Sequence, residues 1–360
     1  MSDYFEIDFL DVAVAKSGDA IPLRYELNGQ TYIHVVDGGF VDTGEKVVSF
    51  IKKYYDNPTF IDCVVATHPD GDHCGGLRLV LEEFTVGALY MHRPWLYANE
   101  LIPRFSRFTN TDNLVRRLKE LYPNIVKLEE IAVERGIPVH EAFQGTPIGA
   151  FTVMTPTKAR YLDLVVDSDK TPEATNEASA TLGGLLAQAG SAAMRFVKSA
   201  WGAEVFSPNE TSSENEMSIV QYAELCGDKI LLTADTGRSG LNEAADFAPF
   251  VGLALPGIDK FQVPHHGSRR NVSTETLDRW LGPRLATILD HDSTIFSGFI
   301  SAAKEDKDHP RKAVERAIHH RGGSVGKTEG RDIRWNKNAP DRPGYVALPP
   351  VPYPDDQEDD

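Results

Sequence analysis

One short stretch constrains the fold of this chain more than any other, because an apolar run leads directly into a turn of histidines and aspartates. Residues 60–66 (FIDCVVA) are typical of a strand that is buried on both faces. The following residues, 67–73 (THPDGDH), place two histidines and two carboxylates within six positions. Imidazole and carboxylate groups are common ligands of divalent metals. The sequence therefore predicts a metal site at the end of this strand.

The same arrangement recurs at two later strand ends. Residues 231–237 (LLTADTG) end a predicted strand in Asp235, and residues 261–268 (FQVPHHGS) end another in His265 and His266. Any one of these segments is also explained by a polar turn or by structural residues. Three strand ends of this kind favour one shared site. The candidate ligands are His68, Asp70, Asp72, His73, Asp235 and one or both of His265 and His266.

Strands and helices alternate through most of the chain, which predicts a mixed α/β fold. Apolar and β-branched runs predict strands over residues 5–14, 32–36, 60–66, 86–91, 229–233, 258–263 and 285–289. Amphipathic spacing predicts helices over residues 44–55, 77–84, 112–121, 126–135, 274–281 and 309–320. A single domain over residues 1–345 accounts for this pattern. We expect residues 158–213 to form an insertion or lid with a helix near 178–201, and residues 346–360 to form an acidic, flexible tail.

Composition places the chain among ordinary globular proteins. Hydrophobic residues make up 41% of the 360 residues, which is enough for a substantial core. No apolar run reaches the ~18–20 residues of a membrane span, and the N-terminus lacks a basic stretch followed by an apolar one. The three cysteines, Cys63, Cys74 and Cys226, are too few and too scattered for a disulfide framework. We therefore expect a cytoplasmic protein that does not associate with membranes.

An excess of acidic residues limits the partners that the chain can bind. It has 53 Asp and Glu residues against 37 Lys and Arg residues, a net charge of −16. Nonspecific binding of nucleic acid over the whole surface is therefore not expected, because phosphate binding depends on basic patches. A metal site with a local basic rim still allows a polyanionic substrate. The acidic surface or tail is a candidate site for a protein partner.

These motifs together resemble the metallo-β-lactamase superfamily, whose usual signature is His-x-His-x-Asp-His. Asp70 stands here at the position of the second histidine. This variant is most similar to the branch that contains the nuclease-like domain of the DNA-uptake channel ComEC. The resemblance covers most of residues 5–335 outside the insertion, and it implies a four-layered αββα sandwich with a helical insertion. The motifs that carry it are DGG at 37–39, HPDGDHCGG at 68–76, NEMSIV at 215–220, LLTADTG at 231–237, HHGS at 265–268 and DHP at 308–310.

The resemblance implies a dinuclear metal site. Asp235 matches the carboxylate that bridges the two ions in such sites. Of the two adjacent histidines, His266 is the preferred ligand, and His265 then contacts the substrate. The implied ligands are His68 and Asp70 for one ion, and Asp72, His73 and His266 for the other.

One departure from the family pattern bears on the metals. Many relatives carry a further histidine just before the strand that ends in TADT, where this chain has Asn215 and Ser218. One of the two ions is therefore expected to be weakly held or partly ligated by water. Two divalent ions, Zn²⁺ or Mn²⁺, are implied, and three carboxylates among the ligands favour the harder Mn²⁺ alongside Zn²⁺.

Such a site implies metal-assisted hydrolysis. Two cations ~3.5–4 Å apart lower the pKa of a bridging water and neutralise charge in an in-line displacement. A phosphodiester gains most, because negative charge spreads over its transition state. We expect Asp72 or Asp235 to steer the hydroxide. Arg269, Arg270 and Arg238 are either placed to meet phosphate or are ordinary surface arginines.

Several further residues have two interpretations each. His309, in the DHP motif, either borders the pocket as a catalytic residue or only begins a helix. One group of side chains forms either a rim for nucleic acid or simply the exposed side of a helix. Its members are Arg104, Arg107, Arg116, Arg117 and Lys119, interleaved with Phe105, Phe108 and Tyr122. Five histidines lack neighbouring candidate ligands in the sequence, namely His34, His92, His140, His319 and His320.

The leading expectation is hydrolysis of phosphodiester bonds, with DNA or RNA as the substrate. One alternative is a phosphodiesterase for a small nucleotide or a phosphocholine-type ester. A closed lid at residues 158–213 would favour small substrates, and an open basic groove would favour strands. Another alternative is a non-catalytic interaction module whose metal site is structural. Hydrolysis of β-lactams is not expected, because Asp70 replaces a histidine that zinc lactamases share and no export signal is evident.

Overall fold

Two seven-stranded sheets pack face to face in this protein, and helices cover both outer surfaces. The structure is a computed structural model that describes residues 3–12, 15–106, 108–168, 170, 195–349 and 351–359. The four layers confirm the predicted αββα sandwich. Among the helices of these residues, none is both long and apolar enough to cross a membrane.

Sixteen strands are present in the described residues, and most are short. In chain order they are β1 Tyr4–Phe9, β2 Ala20–Leu27, β3 Gln30–Gly38, β4 Phe60–Val65, β5 Thr85–Tyr90, β6 Val139–His140, β7 Pro147–Ile148, β8 Phe151–Thr155, β9 Phe196–Lys198, β10 Val220–Leu225, β11 Asp228–Leu232, β12 Lys260–Gln262, β13 Phe296–Ile300, β14 Gly323–Lys327, β15 Ile333–Lys337 and β16 Asp356–Glu358.

The order of the strands brings several strand ends together. The first sheet runs β15-β1-β2-β3-β4-β5-β6, and the second runs β14-β13-β12-β11-β10-β8-β7. In each sheet one half is antiparallel, whereas β3 to β6 and β11 to β14 are parallel. The carboxyl ends of parallel strands meet at one edge of a sheet. The loops after β4, β11 and β12, which carry the predicted ligands, therefore converge.

The helices lie between the strands and begin and end at recognisable signals. Asn110 accepts from the backbone N–H of Asp112 at 2.7 Å to cap α5, and Gly136 ends α6 in the left-handed conformation at φ 68°. The α-helices of the described residues are α1 Gly44–Tyr54, α2 Gly71–Cys74, α3 Leu77–Glu83, α4 Ala98–Leu101, α5 Thr111–Leu121, α6 Pro123–Arg135, α7 Lys158–Asp167, α8 Ser213–Glu216, α9 Arg238–Phe247, α10 Thr274–Leu281 and α11 Lys312–His320.

The core is divided into three layers by the sheets. Alternate residues of β1, such as Ile7 and Phe9, point between the sheets, where Phe9 meets Phe299. The intervening Glu6 and Asp8 are also buried, on the outer face of the sheet. Arg342 pairs with both carboxylates, Glu6 at 2.7 Å and Asp8 at 2.6 Å. Arg342, near the end of the chain, therefore neutralises the buried carboxylates of Glu6 and Asp8 in β1.

The structure differs from the predicted elements in the second half. Residues 285–289 form no strand; the corresponding parallel strand is β13, Phe296–Ile300. An apolar run alone does not distinguish a strand from a loop that packs on a neighbour, and Ile288 is in fact half exposed. The strand Ala20–Leu27 was not predicted. The helix predicted over 309–320 begins only at Lys312.

The C-terminal segment was expected to be a flexible tail, but the structure packs it against the domain. Residues 356–358 pair with Phe196–Lys198 as an antiparallel ribbon. The Glu358 carboxylate accepts from the backbone N–H groups of Lys312 and Ala313 at the start of α11. A carboxylate at a helix N-terminus is stabilising, so this contact helps to hold the acidic C-terminal segment against α11.

The first part of the predicted insertion belongs to the packed domain. Its first ten residues, Lys158–Asp167, form α7, and Tyr161 and Val165 of this helix are buried in the core. The helix expected near 178–201 lies mostly outside the described residues. Where it is described, residues 196–198 form a strand.

Candidate metal centre

All seven predicted ligands meet at the carboxyl ends of the parallel strands. The loop after β4 and the short helix α2 carry the ligands of the first motif. The loops after β11 and β12 carry Asp235, His265 and His266. Each predicted ligand lies within 4 Å of another one. The three predicted motifs therefore form one cluster.

Asp235 lies at the centre of this cluster and faces it with both carboxylate oxygens. Its Oδ2 atom lies 3.8 Å from Nε2 of His68 and 3.5 Å from Nε2 of His265. Its Oδ1 atom lies 3.2 Å from Nε2 of His73 and 3.8 Å from Nε2 of His266. The two oxygens thus divide the four imidazoles into two pairs.

Two further carboxylates complete these pairs. Asp70 Oδ2 lies 3.9 Å from His68 Nε2, and Asp72 Oδ2 lies 3.9 Å from His266 Nε2. We name the two halves by their members. Subsite A consists of His68, Asp70, His265 and Asp235 Oδ2, and subsite B consists of Asp72, His73, His266 and Asp235 Oδ1. His265, expected to contact substrate, therefore lies on the side of subsite A.

The residues fit a bound divalent metal. The Nε2 atoms of His68, His73 and His266 and the Oδ1 atom of Asp235 are buried, and within the described residues they have no hydrogen-bond partner. Buried polar atoms are normally paired, so such a group calls for an additional partner. One ligand atom each from Asp72, His73 and His266 lie within 4.8 Å of one another. Imidazole and carboxylate donors in this arrangement suit a divalent cation.

Asp37 sets the orientation of the histidines from the first motif. Its Oδ2 atom lies 2.8 Å from Nδ1 of His73 and accepts from the hydroxyl of Thr67 at 2.6 Å. The same hydroxyl, having donated its proton, accepts from Nδ1 of His68 at 3.1 Å. Nδ1 of each histidine therefore donates to this network, and its Nε2 atom faces the cluster. A carboxylate behind a histidine ligand is a common support of metal sites.

Asn271 orients His265, and a second asparagine lies close to the same ring nitrogen. The amide nitrogen of Asn271 donates to the backbone carbonyl of Asp235 at 2.7 Å, so its Oδ1 atom accepts from Nδ1 of His265 at 3.0 Å. Asn215 also lies 3.1 Å from that ring nitrogen. Asn215 and Ser218 stand where many relatives carry a histidine, and Ser218 accepts from the backbone N–H of Asp235 at 3.2 Å. Both departures from the family pattern thus support ligands.

The electrostatics of the cluster favour a buried anion at its centre. Burial opposes ionisation of Asp235, but His73, His265 and His266 hold the pKa of its carboxyl well below the ordinary value. Burial lowers the pKa of His266 far below its usual range, which keeps this imidazole neutral. A neutral imidazole beside a carboxylate is the form that binds a metal ion.

Asp19 is a part of the site that sequence reasoning missed. Its Oδ2 atom lies 3.8 Å from Nδ1 of His73 and accepts from the amide of Gln262 at 2.8 Å. Burial raises the pKa of its carboxyl to about 7. The preceding Gly18 approaches the ligand loop so closely that a Cβ there would lie 2.5 Å from the carbonyl oxygen of Asp72. A lone Gly-Asp pair before an unpredicted strand carries no recognisable signal.

His309 borders the cluster, as expected from the DHP motif. Its ring lies 5.2 Å from that of His265 and 6.0 Å from that of His266, centroid to centroid. Its Nδ1 atom lies 3.5 Å from Asp306 Oδ2. Asp306 in turn accepts from the hydroxyl of Ser17 at 2.7 Å. Ser17 and Asp306 were not predicted, because nothing in the sequence links two loops so far apart.

The arginines are used differently from what was expected. Arg238 was a candidate phosphate contact, but its guanidinium donates to the backbone carbonyls of Val272, Ser207 and Arg269. It therefore holds loops together. Arg269 donates to the backbone carbonyl of Val205 at 3.4 Å.

The predicted basic rim is largely neutralised. Arg104 pairs with Asp163 at 2.8 Å, and Lys119 pairs with Glu129 at 3.5 Å. Arg117 pairs with Glu120 at 3.3 Å. Arg107 lies outside the described residues. These pairs do not form an open basic groove.

A family model matches the part of the chain that carries the principal metal motif. Residues 26–150 match the family model described as the metallo-β-lactamase superfamily. The matched segment is less than half of the chain and includes the motif from His68 to His73. The predicted superfamily is thus confirmed for this segment, and the ComEC-like branch stays a prediction.

Comparison with solved structures finds matches of low identity and low TM-score. The metallo-β-lactamase SMB-1 bound to 2-mercaptoethanesulfonate is 10% identical, with a TM-score of 0.30 over 68% of this chain and 74% of that chain. The hydrolase AbOPH of the β-lactamase superfamily is 12% identical, with a TM-score of 0.30 over 67% and 75%. A variant of the β-hydroxylase CmlA is 11% identical, with a TM-score of 0.36 over 92% and 53%. No curated protein matches the chain.

Proposed function

We propose that this protein is a metal-dependent hydrolase of phosphodiester bonds and that its substrate is DNA or RNA. One observation carries the proposal: Asp235 directs one carboxylate oxygen at each of two ligand sets. A carboxylate placed in this way could help to hold two ions, and two-metal sites are used to hydrolyse phosphate esters. The buried, unpaired Nε2 atoms argue against a site that has lost its metal, because such atoms are costly to keep without a partner.

Two divalent ions, held by subsites A and B, would supply Lewis-acid stabilisation of a phosphoryl group and activation of water at neutral pH. The protein's part is to hold the ligands in place. Asp37 and Thr67 fix the rings of His68 and His73, and Asn271 fixes the ring of His265. Preorganised ligands avoid the cost of reorientation during the reaction.

His309 lies at the edge of the cluster, where it can contact a substrate oxygen. Its Nδ1 atom faces Asp306, so its Nε2 atom is the one left for the substrate. The imidazole is partly exposed, with 21% of its side chain accessible. In the proposed reaction it orients the phosphate or hands a proton to the leaving group.

A small phosphodiester is the second candidate substrate. The neutralised rim around α5 favours it, because Arg104, Arg117 and Lys119 are each paired with a carboxylate and offer little to a long polyanion. A nucleotide or a phosphocholine-type ester needs only the metal centre and a few nearby donors.

The test is cleavage of linear duplex DNA, single-stranded DNA and RNA, and of bis(p-nitrophenyl) phosphate, with Mn²⁺, Mg²⁺ or Zn²⁺. Asp235→Asn removes the central charge, and Asp292→Asn, on an exposed loop, is the matched control. We expect metal-dependent cleavage that Asp235→Asn abolishes and Asp292→Asn retains. Hydrolysis of the small ester alone would select the second candidate. Metal binding without cleavage of any of these substrates would contradict the proposal.

A further inference from the structure

Lys170 forms an ion pair with Asp70, one of the candidate metal ligands. Its Nζ atom lies 2.8 Å from Asp70 Oδ1. The other oxygen of the same carboxylate faces Nε2 of His68 across 3.9 Å. Asp70 therefore divides its two oxygens between a fixed ammonium group and subsite A.

Contacts at the end of α7 hold this lysine at the site. The backbone N–H of Lys170 donates to the hydroxyl of Ser168 at 3.1 Å. That hydroxyl donates to the carboxylate of Glu214, which is buried in α8. The amide nitrogen of Asn215, the next residue, lies 3.1 Å from Nδ1 of His265 in subsite A. The segment that carries Lys170 is thus attached to the same wall of the site.

The two subsites differ in their surrounding charge. In subsite B, His73 is backed by the buried carboxylates of Asp37 and Asp19, 2.8 and 3.8 Å from its Nδ1 atom. Among the described residues, no lysine or arginine forms an ion pair with Asp72. In subsite A, the ammonium of Lys170 neutralises Asp70. A cation is repelled by a like charge a few ångströms away, so the subsites are unequal for a divalent ion.

We propose that Lys170 holds subsite A at a lower metal affinity than subsite B, so that the second ion binds only when Asp70 exchanges the ammonium for the metal. The proposal rests on the two-metal site of the proposed function. It assigns the first ion to Asp72, His73 and His266, and it makes Asp70 a ligand that is shared between a lysine and an ion. The two ions then bind in sequence, and the Lys170 side chain determines how weakly the second ion binds.

The experiment measures metal binding by the metal-free full-length protein. Isothermal titration with Mn²⁺, with metal content after equilibrium dialysis, is compared for the unmodified protein, Lys170→Met and Lys170→Arg. We expect two classes of site in the unmodified protein. Lys170→Met should tighten the weaker class about tenfold and leave the tighter class unchanged, because one nearby positive charge is lost. Lys170→Arg, which keeps the charge, should bind as the unmodified protein does.

The matched control is Lys158→Met, at the other end of α7. Lys158 pairs with Glu100 at 2.7 Å and is 44% exposed, against 43% for Lys170. It should leave both classes unchanged. Equal binding by Lys170→Met and the unmodified protein, or an equal shift of both classes, would overturn the role of Lys170. A complete lack of metal binding by the unmodified protein would instead refute the proposed function.

Discussion

The Asp37 carboxylate lies 2.8 Å from Nδ1 of His73 and thereby directs Nε2 of the same ring at the cluster of candidate ligands. The same carboxylate also accepts from the backbone N–H of Thr67 at 2.9 Å. One buried side chain thus connects the end of β3 to the ligand loop after β4. The DGG motif, whose first residue this is, acts behind the ligands and not among them.

Asp37→Asn is expected to lower the affinity of subsite B for metal about 10- to 100-fold, because the neutral amide supports the histidine less strongly. Titration of the metal-free variant with Mn²⁺ measures this change. A matched control is Asp62→Asn, which changes a partly buried aspartate of β4 that accepts from the backbone N–H of Ile33. Unchanged affinity in the Asp37 variant would contradict the supporting role.

Asp306→Asn is expected to lower kcat about tenfold with little change in metal content, since it weakens the hold on His309 without touching a ligand. Ser17→Ala should have a smaller effect in the same direction, because Ser17 fixes Asp306. Steady-state kinetics and metal analysis on the same samples provide the measurement. Asp308→Asn, whose exposed carboxylate pairs with Arg311, is the neighbouring control. A loss of metal in parallel with activity would show that the loop acts on the metals instead.

Gly18→Ala is expected to disturb the site, because its Cβ would lie 2.5 Å from the carbonyl oxygen of Asp72. The cost of such overpacking is about 1–3 kcal/mol in the free energy of unfolding. We expect weaker metal binding as well, since Asp72 must move. Gly29→Ala separates the two effects, because its added Cβ has no atom within 4 Å but its φ of 79° strains the backbone, so it should lower stability and leave metal binding unchanged. Normal metal affinity in Gly18→Ala would contradict this account.

Glu204 makes stability depend on pH in the acid range. Burial opposes its ionisation, but His320 and Arg321 lower the pKa of its carboxyl to about 2. Since the folded pKa lies below the ordinary value of 4.5, the ion pair stabilises the protein above pH 4.5, and this contribution is lost as the pH falls towards 2.

Glu204→Gln tests that dependence. It should lower the free energy of unfolding at pH 7 by about 3 kcal/mol, and its difference from the unmodified protein should shrink between pH 4.5 and pH 2. Urea denaturation at a series of pH values measures both. A difference that does not vary over this range would show that the carboxylate is not held in its charged form.

Much of the site could be predicted, because its ligands are adjacent in sequence and follow buried strands. The motif from His68 to His73 needs only one strand and one turn to bring its members together. Asp235 and His266 follow from the same rule applied to parallel neighbours.

The remainder could not be predicted, because it depends on contacts between distant loops. Asp19 meets Gln262 across 243 positions, and neither side chain has a local pattern that indicates a site. Lys170 lies 100 positions from Asp70, in a segment that looked like a polar insertion. The strand predicted over residues 285–289 was wrong for a related reason. Whether an apolar run forms a strand depends on its pairing with a neighbouring strand, and the sequence does not show that pairing.

The bond between Ser17 and Asp306 spans 289 positions. During synthesis, the ligand loop after β4 leaves the ribosome long before the segment around His309 has been made. The hydroxyl of Ser17 can bond Asp306 only after that later segment has been synthesised. Contacts that join the two ends of a chain form late in folding. A nascent chain therefore carries the motif from His68 to His73 before the segments with Asp235, His266 and His309 have been synthesised, so the cluster can be completed only late.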